Sequence, residues 1–294
     1  MHKHQIKFKH LSVIQRVLLH LLTCKALLKV RRWLMRYVPF MRLKSEVTDV
    51  VYLSWLVDAD AVIAQYPDFV PFWQKDGKTI FTILTYQHHH FGLAFLGPLR
   101  KFFPSPKQSN WRFYLAPMQA NKTVIFEQVI VDQLLYVLGG RLASDVMPAQ
   151  LAAQFEHCID SNAEYDEIST QIQLDEQYSF SAQVRTVDQK QLPKTWQPFF
   201  NDWSTAVKFL VDQDHAWSQW SDDVGRLSQG NIEMPIQFEQ ISPAKVQQIQ
   251  SPEILKQWTT QTEPEVFAFI VPNLNFYVQG EQIVLSDTLY KKEA

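Results

Sequence analysis

From Val47 onward the chain consists of short runs of β-branched and aromatic residues that turn residues interrupt. Such side chains pack well on a pleated surface, so this texture is typical of strands. Aromatic residues form 13% of the chain and can fill a large core, whereas only 8 residues are glycine. Neither GxxxxGK nor GxGxxG occurs, which argues against a glycine-rich phosphate loop. The pattern predicts an α+β domain, mostly antiparallel β, over residues 46–294.

Local patterns place individual elements within this domain. The strands that we expect are Val47–Leu56, Thr79–Phe91 and Thr123–Val131. Helical spacing of apolar residues predicts an amphipathic helix over Trp203–Trp220. At the end of the chain we expect a hairpin in which Val266–Val278 pairs with Gln282–Leu285.

Charge separates the first 45 residues from the rest. This amino-terminal arm carries eleven basic residues and no acidic one, which leaves 17 basic against 30 acidic residues in the body. A body with that sign repels phosphate backbones, so we expect no nucleic-acid partner. The two cysteines lie far apart in the sequence and have no zinc-finger spacing. We therefore expect no structural zinc, and no cofactor.

The arm has a helical pattern from Leu11 to Val38, with Ser12 as N-cap and Pro39 as its stop. Its polar face changes sides near Cys24, so the helix either breaks there or is covered on opposite sides in its two halves. Its uncharged stretches are too short to span a bilayer, and no cleavage site for a signal peptide follows. We expect a cytoplasmic protein, with peripheral attachment to the inner face of the membrane as an alternative.

Two functions fit residues 1–45 as a basic amphipathic helix. It could lie on an anionic membrane surface, where Lys and Arg side chains meet lipid headgroups. It could instead dock on the acidic body of its own chain or of a second copy in a homo-oligomer. The charge split favours docking, because the complementary surface already exists in the molecule.

Two groups of polar residues are candidates for chemistry. His88 and His90 would share one face of a strand, where they could ligate a metal or line a pocket as polar side chains. Asn110, Arg112 and Tyr114 also alternate along a strand and together offer a site for a carboxylate or carbonyl group. Alternatively, Arg112 is a structural cation paired with a carboxylate. Without a second metal-binding motif we predict no metal, and we add Glu127 to the ligand-binding candidates.

Several segments, in their order and spacing, resemble domain of unknown function 2071, also called the YqjF-like family. The segments are Val51–Asp58, Asp76–Lys78, Asn110–Leu115 and the stretch from Phe209 to Leu227. The resemblance covers about residues 46–290 and excludes the arm. It implies an acetoacetate decarboxylase-like fold, a bent sheet or barrel around a central cavity. It also implies that Asn110, Arg112 and Tyr114, which match the family's N-x-R-x-Y strand, belong to that cavity.

The same resemblance implies that one reaction is missing. Acetoacetate decarboxylases use a lysine that forms a Schiff base with the substrate. The segment of this chain that resembles that region, Asp145–Gln150, has no lysine, and none occurs between Lys122 and Lys190. Where relatives show His-His-Pro-Pro, this chain reads Gly230–Pro235 without a histidine.

Three functions remain compatible with the sequence. The first is a protein that binds a small carboxylate or carbonyl compound in a β-barrel cavity without catalysing a reaction. The second is an enzyme that uses acid–base or metal chemistry in the same cavity, with Glu127 or His88 and His90 as working groups. The third is a membrane-peripheral protein that acts through its arm. We expect a non-enzyme rather than an enzyme, and no Schiff-base decarboxylase.

Overall fold

The computed structural model describes residues 12–37, 40–118, 121–160 and 166–284. The helices are α1 (Val13–Thr23), α2 (Lys25–Met35), α3 (Ala59–Ile63), α4 (Leu134–Ala143) and α5 (Trp203–Val211). The strands are β1 (Leu43–Asp58), β2 (Lys78–Leu93), β3 (Lys107–Tyr114), β4 (Thr123–Val131), β5 (Gln150–Leu151), β6 (Gln154–Asp160), β7 (Glu167–Gln173), β8 (Ser179–Thr186), β9 (His215–Gln219), β10 (Leu227–Glu233), β11 (Ser242–Gln250), β12 (Phe267–Val271) and β13 (Leu274–Val284).

Seven of these strands close into a barrel. They follow the order β1-β2-β3-β4-β9-β10-β13, and β13 pairs with β1 to complete the ring. All neighbours in the ring are antiparallel except β4 and β9, which are parallel, so the barrel is mixed. The prediction of an α+β fold with mostly antiparallel strands in a bent, barrel-like sheet is confirmed.

A second layer of strands covers one side of the barrel. Beyond its pairing with β13, β1 also pairs with β12, from which β11, β8, β7 and β6 continue as an outer sheet. Alternate side chains of β1 therefore enter different cores: Tyr52 points into the barrel, and Trp55 lies between the barrel and the outer sheet. The buried Trp258 packs in that outer core against Phe81, with ring centroids 5.0 Å apart.

The arm forms two helices that separate at Cys24. Cys24 has an extended backbone, with ψ at 119°, and Ser12 caps α1 through a capping box with Gln15. The predicted break and N-cap are confirmed, whereas Leu11, Val38 and Pro39 lie outside the described residues. Within the described part of the chain, no helix has the length and apolar character needed to cross a bilayer.

Two predicted elements were wrong. The helix predicted over Trp203–Trp220 ends at Val211, because the following residues form β9, which pairs with β4 and β10. Tertiary pairing overrides the helical spacing there. The final hairpin turns at residues 272–273 instead of 279–281, and β13 continues through Gly280, which pairs with Asn231 of β10.

Candidate functional site

The barrel encloses a cavity of about 1120 Å³ that opens beside α2. Most of its wall is apolar, with Leu84, Phe126 and Phe276 among the lining side chains. Polar side chains gather at one region, which we call the polar floor. Its members are Tyr52, Tyr86, Gln108, Asn110 and Arg112. An apolar cavity with a few converging polar groups is the usual form of a small-molecule site.

Arg112 is the charged residue of the polar floor and is only 3% exposed. Its Nη2 donates to the carbonyl of Leu210 at 2.9 Å, and more distantly, at 3.5 Å, to the hydroxyls of Tyr52 and Tyr114. Its Nε is buried and has no hydrogen-bond partner in the part of the chain that the structure describes. Among the described residues, no carboxylate forms an ion pair with Arg112. The alternative of a structural cation paired with a carboxylate therefore does not hold within the described chain.

A hydrogen-bond chain leads from His88 to the polar floor. His88 Nε2 lies 3.0 Å from Gln108 Oε1, and Gln108 Nε2 donates to Asn110 Oδ1 at 2.8 Å. Asn110 Nδ2 then donates to the Tyr86 hydroxyl oxygen at 3.0 Å. Because Tyr86 receives this bond, its own O–H remains available to donate. The chain thus leaves the hydroxyl hydrogen of Tyr86 available to donate at the cavity wall.

Burial keeps the neighbours of Arg112 neutral. It raises the pKa of Tyr52 to about 12, although nearby Arg112 opposes the shift. Burial likewise raises the pKa of Tyr86 above its ordinary range. It lowers the pKa of His88 to about 4, although the hydrogen bond with Gln108 opposes this. Near neutral pH, the guanidinium of Arg112 is therefore the charged group of the polar floor.

The structure separates the residues that the sequence grouped. Asn110 and Arg112 line the cavity, while Tyr114 lies on the same strand beneath α5 and donates to Thr82 and to the Leu210 carbonyl. Glu127 lies outside the barrel interior, where it accepts hydrogen bonds from Tyr66 at 2.6 Å and Tyr178 at 3.1 Å. A ligand-binding role for Asn110 and Arg112 stays a prediction, and Glu127 does not line the cavity.

The histidines do not form the predicted pair on one strand face. His88 is buried behind Gln108 and stacks on Phe91 at 4.4 Å between ring centroids. His90 has a φ of 52°, a left-handed backbone that breaks the alternation of β2. Neither side chain lines the cavity. No cluster of three or more His, Cys, Asp or Glu side chains suited to a metal occurs in the described ranges.

The segment that resembles the lysine-bearing region of acetoacetate decarboxylases reaches the cavity. Val146, Met147 and Ala149 line it. Among the described lining residues the sole lysine is Lys29, which belongs to α2 and is exposed at the mouth. The polar floor therefore contains no lysine.

Sequence reasoning missed several residues of the cavity. Gln108 could have been found by extending the alternation of Asn110 and Arg112 back by two residues. Tyr52 and Tyr86 lie in apolar runs that gave no sign of which ring faced the cavity. Glu281 of β13 also lines the cavity, and burial raises the pKa of its carboxyl above the ordinary value. The sequence of β13 alone does not indicate that Glu281 faces the cavity.

The closed mixed barrel with its internal cavity belongs to the acetoacetate decarboxylase-like class of folds. The enduracididine biosynthesis enzyme MppR, with HEPES buffer bound, superimposes at a TM-score of 0.56 and 11% identity, over 85% of this chain and 89% of its own. An acetoacetate decarboxylase-like enzyme from Sphingomonas wittichii RW1 gives 0.55 and 11%, over 84% and 94%. The acetoacetate decarboxylase of Legionella pneumophila gives 0.51 and 8%, over 82% and 87%.

These likenesses correct one expectation. The solved structures that share this fold are described as enzymes, so the expectation of a non-enzyme was wrong. At 8–11% identity the likeness establishes the fold, and it assigns no reaction to this chain. No family model and no curated protein matches the chain. The narrower resemblance to domain of unknown function 2071 thus stays a prediction.

Proposed function

We propose that the protein is an enzyme that binds a carboxylate or carbonyl compound in its barrel, with a ligand oxygen on Arg112. The observation that carries this proposal is the buried guanidinium without an acidic partner among the described residues. A buried charge is costly unless an opposite charge or hydrogen bonds compensate it. A bound carboxylate would supply that compensation through the fork of the guanidinium.

The chemistry that this floor supports is polarisation of a carbonyl group. Arg112 and Tyr86 both line the cavity and can donate toward a ligand oxygen there. Donors held in advance at the place where negative charge develops stabilise an enolate or oxyanion. This supports a reaction at carbon next to a carbonyl without covalent attachment to the protein.

The cavity also limits the size of the ligand. At about 1120 Å³ it slightly exceeds the roughly 300–1,000 Å³ typical of sites for drug-sized molecules. MppR has been solved with pyruvate and with a condensation product of pyruvate and imidazole 4-carboxaldehyde, which supports 2-oxo acids as first probes. Because the wall is mostly apolar, we propose a 2-oxo acid or a related carboxylate with an apolar body several carbons long.

The test is the melting temperature of the protein with a series of 2-oxo acids, from pyruvate to 2-oxodecanoate. We expect a rise that grows with chain length, since each buried methylene adds about 0.8 kcal/mol. Arg112→Met should abolish this rise. The variant without ligand should melt no lower than the wild type, because Tyr114 still donates to the Leu210 carbonyl.

Arg185→Met is the matched control, since this arginine lies exposed on β8 in the outer sheet. It should keep the full ligand response. The proposal is wrong if no acid in the series shifts the wild-type melting temperature, or if Arg112→Met retains the shift.

Catalysis without a Schiff base has its own test. The protein is incubated with acetoacetate or pyruvate and cyanoborohydride, and its intact mass is measured. We expect no stoichiometric adduct, because the lysine at the cavity, Lys29, is exposed at the mouth. An acetoacetate decarboxylase treated in parallel should gain the mass of one trapped ligand. A stoichiometric gain in this protein, on any lysine, would contradict the proposal.

A further inference from the structure

The mouth of the cavity is framed by apolar side chains that are exposed. Seven large apolar residues of the described chain both line the cavity and face solvent: Trp33, Met35, Phe40, Met41, Phe103, Leu135 and Ile283. Their exposed fractions run from 36% for Phe40 to 57% for Leu135. A mouth that only admitted a water-soluble ligand would have no need of such a rim.

The neighbouring 3-10 segment Ala94–Phe102 enlarges this rim. Phe95 is 72% exposed, Leu99 57% and Phe102 86%. The N–H of Ala94 donates to the Arg42 carbonyl at 2.8 Å, which places the segment beside residues 40–42. On its other side, the Tyr136 hydroxyl donates to the Pro104 carbonyl at 2.6 Å and so ties α4 to the same region. These hydrogen bonds place the exposed apolar side chains of the segment beside those of the cavity mouth, and we call the combined set the apolar patch. Exposed apolar patches mark interaction surfaces.

Helix α2 completes the patch with its outer face. Its inner face docks on the body through Leu28 and Arg31, which are 4% and 9% exposed. A helix docked in this way normally carries polar residues on the opposite side. Here the opposite side carries Val30, Trp33 and Leu34, each about half exposed.

Positive charge accompanies the apolar patch. Lys25, Lys29, Arg36 and Lys101 are exposed around it, and residues 1–45 contain no acidic group. Four acidic residues line the cavity as well. Asp145 and Asp222 are engaged by Arg31 and Arg32, Asp223 pairs with Arg226, and Glu281 accepts a hydrogen bond from the Asp145 N–H. Basic residues that flank exposed Trp, Leu and Phe side chains match the interface of an anionic bilayer.

We propose that this mouth surface, formed by α2, residues 40–41 and the segment 94–103, docks on an anionic lipid bilayer. The cavity would then open toward the acyl chains, and a ligand with an apolar body could enter without crossing water. A second copy of the chain would bring the same cationic arm to the contact, which charge repulsion disfavours.

The test is co-sedimentation of the full chain with vesicles of equimolar phosphatidylcholine and phosphatidylglycerol. We expect binding that falls several-fold in pure phosphatidylcholine vesicles and in high salt. Tryptophan fluorescence should shift to the blue on binding, because Trp33 is 54% exposed in the free protein. The double variant Phe95→Ser with Phe102→Ser should bind at least tenfold more weakly, because both rings are exposed in the free protein.

Charge is tested separately with Lys25→Glu and Lys101→Glu. Each should weaken binding about fivefold or more, since one basic residue contributes about 1 kcal/mol at an anionic surface. Two exposed residues of the outer sheet region serve as controls: Ile249→Ser, at 37% exposure, and Lys256→Glu, at 74%. Both should bind vesicles as the wild type does.

The outcomes also separate this inference from the proposed function. The Phe95→Ser, Phe102→Ser variant should keep its melting response to 2-oxo acids, because neither ring lines the cavity. Docking on a bilayer is wrong if the wild type does not sediment with anionic vesicles, or if the control variants lose binding equally. It is also wrong if the wild type is a dimer that the double variant converts to a monomer, because a second copy then covers the surface.

Discussion

His88 shows what burial does to a residue that the sequence marked for chemistry. It is 1% exposed, and both ring nitrogens have partners, Ser45 at 2.8 Å and Gln108 at 3.0 Å. Burial lowers its pKa to about 4, so the ring is neutral in the folded protein over most of the accessible pH range. Its contribution is to orient the chain of amides that ends at Tyr86.

This burial predicts a pH dependence of stability. The unfolded chain, in which histidine has a pKa of about 6.5, binds a proton before the folded one does. His88 therefore destabilises the folded state progressively as the pH falls from about 6.5 toward 4, by about 3 kcal/mol in all. His88→Gln should flatten the fall in unfolding free energy over this range, measured by urea titration at several pH values.

Part of the slope should remain in that variant, because burial also lowers the pKa of His157. His89→Gln is the control, since its half-buried ring lies beside Thr48. The interpretation fails if His88→Gln and His89→Gln have the same pH profile.

Single residues also show where sequence-based prediction of the site succeeded. Strand alternation alone placed Asn110 and Arg112 together, and both line the cavity. Glu127 was a candidate without such a geometric argument, and it lies in β4 at a register shift opposite Trp111 and Arg112, outside the cavity lining. A β-bulge adds a residue and reverses which face the following side chains occupy. No local pattern in a strand reveals that reversal.

At the scale of elements, helix α2 of the arm has one face that docks on the body and one that is exposed. Arg32 makes two hydrogen bonds of 2.9 Å with Asp145 and two with Asp222 at 2.7 and 3.0 Å. Its guanidinium also stacks on Trp220, 3.6 Å from the ring centroid. Burial alone would raise the pKa of Asp222, but Arg32 holds it below the ordinary value. The charge split thus pointed to real ion pairs between arm and body.

We therefore predict that Arg32→Ala releases α2 from the barrel mouth. Amide hydrogen exchange in residues 25–35 should become faster, and the protein should lose about 2 kcal/mol of stability, because charge-assisted hydrogen bonds are lost. Lys29→Ala, on an exposed part of the same helix, should leave both quantities unchanged. Equal exchange rates in the two variants would contradict this role for Arg32.

Elements were predicted well where pattern and pairing agree. The strand expected at Thr123–Val131 is β4 to the residue, because both of its faces are buried and the apolar run is continuous. The residues after Val211 were wrongly predicted as helix, because the spacing of apolar residues in so short a segment fits a helix and a strand equally well. There, pairing with β4 and β10 decides the structure, and those partners lie far away in sequence.

At the scale of the whole molecule, β1 unites two cores. Its side chains alternate between the barrel interior and the outer core, and its backbone pairs with β2, β12 and β13. The sequence showed strand texture and a family resemblance, which together predicted the barrel. The closing pair β1–β13 joins residues more than 200 positions apart, so no local rule could predict it.

Because Arg112 has no acidic partner among the described residues, the choice of buffer affects any binding experiment. If Arg112 binds a carboxylate as we propose, its buried guanidinium would also bind small carboxylates present in the solution. Citrate and acetate, common in purification and crystallisation buffers, would then compete with the natural ligand. Binding of weak ligands should therefore be measured in protein prepared without carboxylate buffers.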